Sequence, residues 1–382
     1  MNITIFPALN GDCILIEYLN GHHVLVDGGY VNTYNDYLQP ALTKIAESDN
    51  MLDLVIVSHI DADHISGIIK MLEEDTLPVS IQNIWHNAYR HIQSPVVASE
   101  KREEITRHNI EKEVAGTDSR KISAKQGSTL AALIQLNKLA WNIQFGGNAV
   151  VNPSHCVVNS ATFYILSPNQ DCLKSLALFW KRKLIQNGLL AKNHCNEFWD
   201  DAFDFCLSQD KPGFHINTKK ISKTNDIKTY LDIDYTADTS VTNASSISFL
   251  LEANGKKILM LGDAKAEIII NSLNNLYTDL QRPICFDAIK LSHHGSFSNN
   301  SPELLKMIDS TNWIVSTNGD LYNHPDKEVI AHIITKDEIN YRNIIFNYRL
   351  DVCAEFDTSE LHSQYKFKFI VPENNVPSIL TL

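Results

Sequence analysis

The densest chemistry in the sequence lies between positions 54 and 67, Leu-Val-Ile-Val-Ser-His59-Ile-Asp61-Ala-Asp63-His64-Ile-Ser-Gly. Four ligand-type side chains fall within six positions, after an apolar run that reads as a strand and before a segment that reads as a helix start. Imidazoles and carboxylates crowded this tightly repel one another and lose hydration. A divalent cation relieves both costs. A polar turn would account for one His and one Asp, not for two of each at this spacing. Three later segments add candidates: Leu259-Met-Leu-Gly262-Asp263, Ser292-His293-His294-Gly295-Ser296, and Ser316-Thr-Asn-Gly followed by Asn323-His324-Pro325. Each also has a plainer reading. Asp263 could cap the helix predicted over Lys265–Leu273, the His293–His294 pair could be a polar loop, and His324 could be a turn residue before proline.

The elements that must position these residues are legible in outline. Asn2–Phe6, Cys13–Tyr18 and His22–Val26 read as strands joined by Asn-Gly turns at Asn10–Gly11 and Asn20–Gly21. Asp27-Gly28-Gly29 ends the third. Tyr37–Ala46 reads as a helix, Leu54–Ser58 as a buried strand, Ile65–Leu72 as a helix, and Ile81–Trp85 as a strand. Residues 89–242 are predicted to form a helix-rich insertion, with Leu130–Leu139 and Leu173–Leu184 helical, Ala161–Leu166 a strand, and Lys211–Lys228 a polar arm. Regular patterning then returns. A hairpin is expected over Ser246–Glu252 and Lys257–Leu261, then helices over Pro302–Ile308 and Lys327–Ile334 alternating with strands over Ala288–Leu291, Trp313–Ser316, Asn343–Asn347 and Tyr365–Ile370. Strand blocks carrying helices on both sides of an insertion predict one α/β domain over residues 1–382, an αββα sandwich.

Composition narrows the class. The chain has 382 residues, 44% hydrophobic and 20% charged, which fits a globular protein. No apolar run approaches the roughly 20 residues that span a bilayer, so no membrane partner is expected. The opening MNITIFPALNGDCILIEY alternates like a strand and lacks a basic region, so a cytoplasmic protein is the expectation. Seven scattered cysteines without a Cys-x-x-Cys pair argue against a disulfide framework and a thiolate metal site. The net charge of −12 counts against a sequence-independent nucleic-acid coat protein but not against a nuclease.

Together the motifs resemble the metallo-β-lactamase superfamily. The first segment is similar to its His-x-His-x-Asp-His signature with Asp61 in place of the second His, a variant similar to the hydrolase domain of the ComEC/Rec2 competence proteins. Gly11–Asp12, Asp27-Gly28-Gly29, the Asp263 hairpin, the His-His-Gly-Ser motif and the His324-Pro325 block follow in the family's order, over roughly residues 1–87 and 243–347. The resemblance implies two divalent metal ions, zinc or manganese. His59 and Asp61 would hold one, Asp63 and His64 the second, and Asp263 would bridge them. His293 would complete the second site, with His294 as the alternative ligand or a substrate contact. Asp27 would orient a ligand histidine, and His324 would face the cleft. Asp63, Asp263, His294 and His324 are thus the expected catalytic set.

Besides Asp61, the chain departs from the family at a second place. A third histidine for the first metal is usual, yet Leu166-Ser167-Pro168 stands there; His86 and His155 are candidates, or that ion lacks a third ligand. The implied activity is hydrolysis by a dinuclear-metal-activated water, with a nuclease or phosphodiesterase acting on nucleic acid or nucleotides favoured. The alternatives are a small-ester or lactone hydrolase and a non-catalytic metal-binding scaffold or sensor. Within the insertion, Leu178, Phe179 and Trp180 precede the basic run Lys181-Arg182-Lys183; with Lys219, Lys220 and Lys223 this suggests a surface for a protein partner or polyanionic substrate.

Overall fold

A computed structural model describes residues 1–19, 21–92, 130–186, 226–278, 282–337, 339–373 and 376–382. Strand alternation divides their apolar residues among three layers. In β1 (Asn2–Ile5), β2 (Ile14–Tyr18) and β3 (His22–Val26), residues such as Ile3, Ile5, Ile14, Ile16, Val24 and Val26 face one way. They meet Phe163, Phe249, Leu251, Ile258 and Met260 from a second sheet, forming the central core. Leu25, Val55 and Val57 face the other way, against the helices Gln39–Glu47 and Ala62–Leu72. The third core packs helices Ala266–Leu276, Pro302–Met307 and Lys327–Ile334 on the outer face of the second sheet. The result is the expected αββα sandwich.

The first sheet has the order β17-β1-β2-β3-β4-β5-β6, with β4 at Met51–Ile56, β5 at Asn83–Trp85, β6 at Ala140–Trp141 and β17 at Ser378–Thr381. The second runs β16-β15-β14-β12-β10-β9-β8-β7. Its strands are β7 (Ser154–Val158), β8 (Ala161–Ser167), β9 (Ser248–Ala253), β10 (Lys256–Met260), β12 (Ala288–Lys290), β14 (Asn312–Val315), β15 (Arg342–Phe346) and β16 (Phe367–Ile370). A short parallel pair, β11 (Ile284–Phe286) and β13 (Ile308–Ser310), flanks it. Strands β10, β12, β14 and β15 run parallel, so their carboxyl ends open at one rim. An open α/β sheet offers a ligand its crevice at that rim.

Two differences from expectation follow from long-range pairing that local pattern does not encode. The described part of the predicted 89–242 insertion supplies β6 to one sheet and β7 and β8 to the other. The last strand, β17, had no prediction; it returns across the molecule to pair antiparallel with β1. Residues 93–129, 187–225 and most of the Lys211–Lys228 arm lie outside the described residues. Of the basic run, Arg182 is exposed on helix Gln170–Gln186. Among the described residues no helix is long and apolar enough to cross a membrane.

Two glycines let the first half close around its loops. A Cβ on Gly67 would lie 2.0 Å from the Gly28 carbonyl oxygen, and one on Gly11 would lie 1.9 Å from that of Asp63. The helix Ala62–Leu72 can therefore press its first turns against both the Asp27-Gly28-Gly29 turn and the loop between β1 and β2. This close approach brings Asp12, Asp27 and His64 into one group.

Candidate metal centre

Each candidate ligand leaves the end of a strand or the start of a helix. β4 continues through Val57 and Ser58 into His59, and Asp61 is the N-cap of the following helix. An N-cap aspartate ordinarily accepts a backbone N–H of the first turn. The Asp61 side chain makes no such bond; its Oδ2 lies 3.5 Å from His59 Nε2. Asp63 and His64 occupy the helix's first turn, with His64 fully buried. Asp263 follows β10 after Gly262, its backbone N–H donated to Ser246 Oγ at 3.0 Å. It does not cap the next helix, whose N-cap is Lys265.

Asp263 Oδ2 is the hub. Nε2 of His59 and of His64 each lie 3.6 Å from it, and Nε2 of His293 and of His294 each lie 3.8 Å away. His294 Nε2 also lies 3.6 Å, and His64 Nε2 3.9 Å, from Asp63 Oδ2. The ligand atoms therefore cluster as His59–His64–Asp263 and as Asp63–His64–His294. His294, rather than His293, stands with Asp63 and His64. Among the described residues, neither His86 nor His155 joins a ligand cluster. His86 stacks on Trp141 with its backbone tied to Asn142, and His155 is exposed on β7 beside Tyr164.

The surrounding hydrogen bonds fix which nitrogen of each ring is free. Asp27 Oδ2 accepts from Ser58 Oγ at 2.6 Å and faces His64 Nδ1 at 2.8 Å, while Ser58 Oγ lies 3.0 Å from His59 Nδ1. His294 Nδ1 donates to the Ser316 carbonyl at 2.9 Å. Protons on these Nδ1 atoms leave the Nε2 lone pairs pointing at Asp263, the arrangement seen in metal-bound histidines backed by carboxylates or carbonyls. His59 Nε2, His64 Nε2 and Asp263 Oδ1 are buried without hydrogen-bond partners. Orphaned buried donors and acceptors are costly unless something else binds them. A cation coordinated by nitrogen and oxygen fits this set.

Electrostatics agree. Burial would raise the Asp263 carboxyl, but the imidazoles of His64, His293, His294 and His59 hold it well below the usual carboxylate range. Burial would depress His64, yet Asp263, Asp63 and Asp27 hold it well above the usual histidine range. Burial likewise opposes His294, which Asp263 and Asp12 push up to about 9. Below that pH a cation must displace a proton to reach the ring. We therefore expect metal affinity to rise with pH up to about 9, by about one decade per pH unit for each proton displaced. Competition titrations between pH 6 and 9 check this; a flat profile contradicts it.

Sequence reasoning assigned no role to several residues here. Lys290, 1% exposed, donates to Asp12 Oδ2 beneath the cluster and to the Gly262 carbonyl. A lysine inside the apolar run Ala288–Leu291 was the signal available. Asn10 donates to Asp63 Oδ2 at 3.0 Å and accepts from Tyr30 Oη at 3.1 Å; the Asn10–Gly11 turn belongs to a loop that reaches the site. His324 stands at the cleft side, its ring 5.5 Å from that of His293 and 5.8 Å from Tyr322, with Nδ1 3.4 Å from Asp326 Oδ1.

Comparison with known proteins bears most directly on the first third of the chain. The family model of the metallo-beta-lactamase superfamily matches residues 7–121, the stretch carrying Asp12, Asp27 and His59 to His64. No curated protein matches the sequence. Among solved structures, the chain is similar at 9% identity and a TM-score of 0.39 to CmlA, a diiron beta-hydroxylase from Streptomyces venezuelae. It is similar to a mutant of the CmlA beta-hydroxylase at 9% identity and a TM-score of 0.35. Both comparisons cover 100% of this chain and 54% of the other, so the chain spans about half the length of these neighbours. The family match thus covers under a third of an αββα sandwich, and the His/Asp clusters within that sandwich could hold a metal ion.

Proposed function

We propose that the protein is a two-metal hydrolase acting on phosphodiesters of a nucleic acid or nucleotide. The observation that carries this reading is the convergence of four imidazole Nε2 atoms within 3.6–3.8 Å of Asp263 Oδ2. Asp63, His64 and His294 would hold one ion, His59 and Asp61 the other, and Asp263 both. When bound, two such ions supply Lewis acidity and lower the pKa of water held between them. The chain's own part is to hold that set ready. Asp27 and Ser58 fix the rings of His64 and His59, and the Ser316 carbonyl fixes His294. His324, its side chain 12% exposed and Asp326 beside its Nδ1, is suited to hold an anionic oxygen or give a proton to a leaving group.

The phosphodiester preference rests on the resemblance of the His-His-Gly-Ser and His324-Pro325 motifs to the competence-type branch and on the imidazole beside the cleft. Asp61 in place of an imidazole makes the first site richer in oxygen, which favours manganese over zinc. The test is incubation of purified protein with single- and double-stranded DNA, RNA, cyclic nucleotides, a lactone and a β-lactam, each in Mn²⁺ and in Zn²⁺. We expect cleavage of a phosphodiester, faster in Mn²⁺, and negligible ring opening. His324→Ala should lower the rate by about a hundredfold while sparing metal content. Lactone turnover with inert phosphodiesters would move the protein to the small-ester class.

A further inference from the structure

The two halves of the candidate centre are unequal. Asp63, His64 and His294 stand together with Asp263 beside them, whereas His59 clusters with Asp263 and with His64, already a ligand of the other half, and has Asp61 nearby. The side chain of Asp61 is one-third exposed. Neither His86, stacked on Trp141, nor His155, exposed on β7, makes up the difference.

His293 has the features of the missing donor. It and His294 both take left-handed backbone angles, φ 44 and 56, and Gly295 follows at φ 88. Residues with a Cβ rarely adopt that region in succession, so the surrounding packing must impose it. The turn sends two consecutive imidazoles into one cleft, ring centroids 5.6 Å apart and inclined at 62°. His294 Nε2 then lies within 4 Å of both Asp63 and Asp263, while His293 Nε2 approaches Asp263, at 3.8 Å.

The proton on His293 is also placed. Asn299 Nδ2 donates to Asp238 Oδ2 at 3.0 Å and to the Asp263 carbonyl at 3.1 Å. Its Oδ1, 2.8 Å from His293 Nδ1, must therefore accept, and His293 must carry its proton on Nδ1. Asn243 Nδ2 donates to the same Asp238 oxygen at 2.9 Å, and its 3.4 Å approach to His293 Nδ1 is too long to compete with the 2.8 Å contact to Asn299 Oδ1. The lone pair is left on Nε2, aimed toward Asp263. Such backing by Asn299 and Asp238 is what a metal-ligating histidine needs.

We propose that His293 Nε2 is a ligand of the first ion, alongside His59, Asp61 and Asp263. It replaces the imidazole absent at Leu166-Ser167-Pro168, while His294 serves the second ion. The proposal rests on the two-metal reading above.

The test is stepwise binding of Mn²⁺ alone to the full chain, followed by equilibrium dialysis and electron paramagnetic resonance. His293→Asn is the main variant, because asparagine tolerates the left-handed backbone and is too short to reach the ion. We expect it to weaken one of the two binding steps by about tenfold or more and to spare the other. Asp61→Ala should weaken the same step, and His294→Ala the other one. Asn299→Ala, which leaves the imidazole in place, should weaken the His293 step less than His293→Asn does. Two ions bound by His293→Asn with wild-type affinities would overturn this assignment and leave the two-metal reading standing. Loss of the same step in His293→Asn and His294→Ala, with Asp61→Ala affecting the other, would also overturn it. A wild-type protein that takes up only one ion would overturn the two-metal reading and the assignment together.

Discussion

Asp263→Ala should lose both ions and about a thousandfold or more in turnover. The reason is geometric. Among the described residues, Asp263 Oδ2 lies within 4 Å of four imidazole Nε2 atoms, so its removal strips a donor from each half of the centre. It also removes the charge that keeps His64 and His294 poised above the usual histidine range. Metal content and kcat measured on one preparation, with circular dichroism to show an intact fold, check the prediction. Substantial turnover with one ion retained would leave Asp263 as a ligand of a single metal.

The second large effect concerns stability. Lys290 and Asp12 form an ion pair in which both side chains are at most 3% exposed. Burial raises the Asp12 carboxyl, but Lys290 and His294 more than offset it and hold it below the usual carboxylate range. Burial likewise opposes Lys290, which Asp12 holds above the usual lysine range. Removing Lys290 leaves the buried Asp12 carboxylate with His294 as its remaining ion-pair partner, and breaking such a pair costs about 3–5 kcal/mol. Lys290→Met in metal-free protein should show that loss in urea unfolding. Adding Asp12→Asn should restore part of it. A single-variant loss below about 1 kcal/mol would mean that water or a neighbouring group takes the place of the lysine.

The particular elements show what local sequence encodes. The run Leu54–Ser58 and the helix that buries His64, Ile65, Ile68 and Met71 were legible because their apolar spacing is local and strong. The hairpin carrying Asp263 was legible for the same reason, observed at Ser248–Ala253 and Lys256–Met260. Strand β17 was not, since a four-residue strand near the end of the chain is defined by its partner β1 rather than by its own pattern. Strand β7 was hidden similarly: at a sheet edge, with exposed His155 and Val157 alternating with half-buried Ser154 and Cys156, it shows no strongly apolar face.

The candidate site divides along the same line. His59, Asp61, Asp63 and His64 lie within six positions, and their density was visible directly. The choice between His293 and His294 was not visible, because it depends on two successive left-handed residues and on Asn299 and Ser316 reaching different rings. Asp12 and Lys290 are 278 positions apart and become a pair only through the packing of the two sheets. No spacing rule could have joined them.

The most direct measurement is the anomalous X-ray scattering of crystals grown with Mn²⁺, collected at the manganese edge. A two-metal centre bridged by Asp263 predicts two peaks flanking its carboxylate. One should touch His59 and Asp61, and the other Asp63, His64 and His294. A single peak, or none within bonding distance of Asp263, would contradict it.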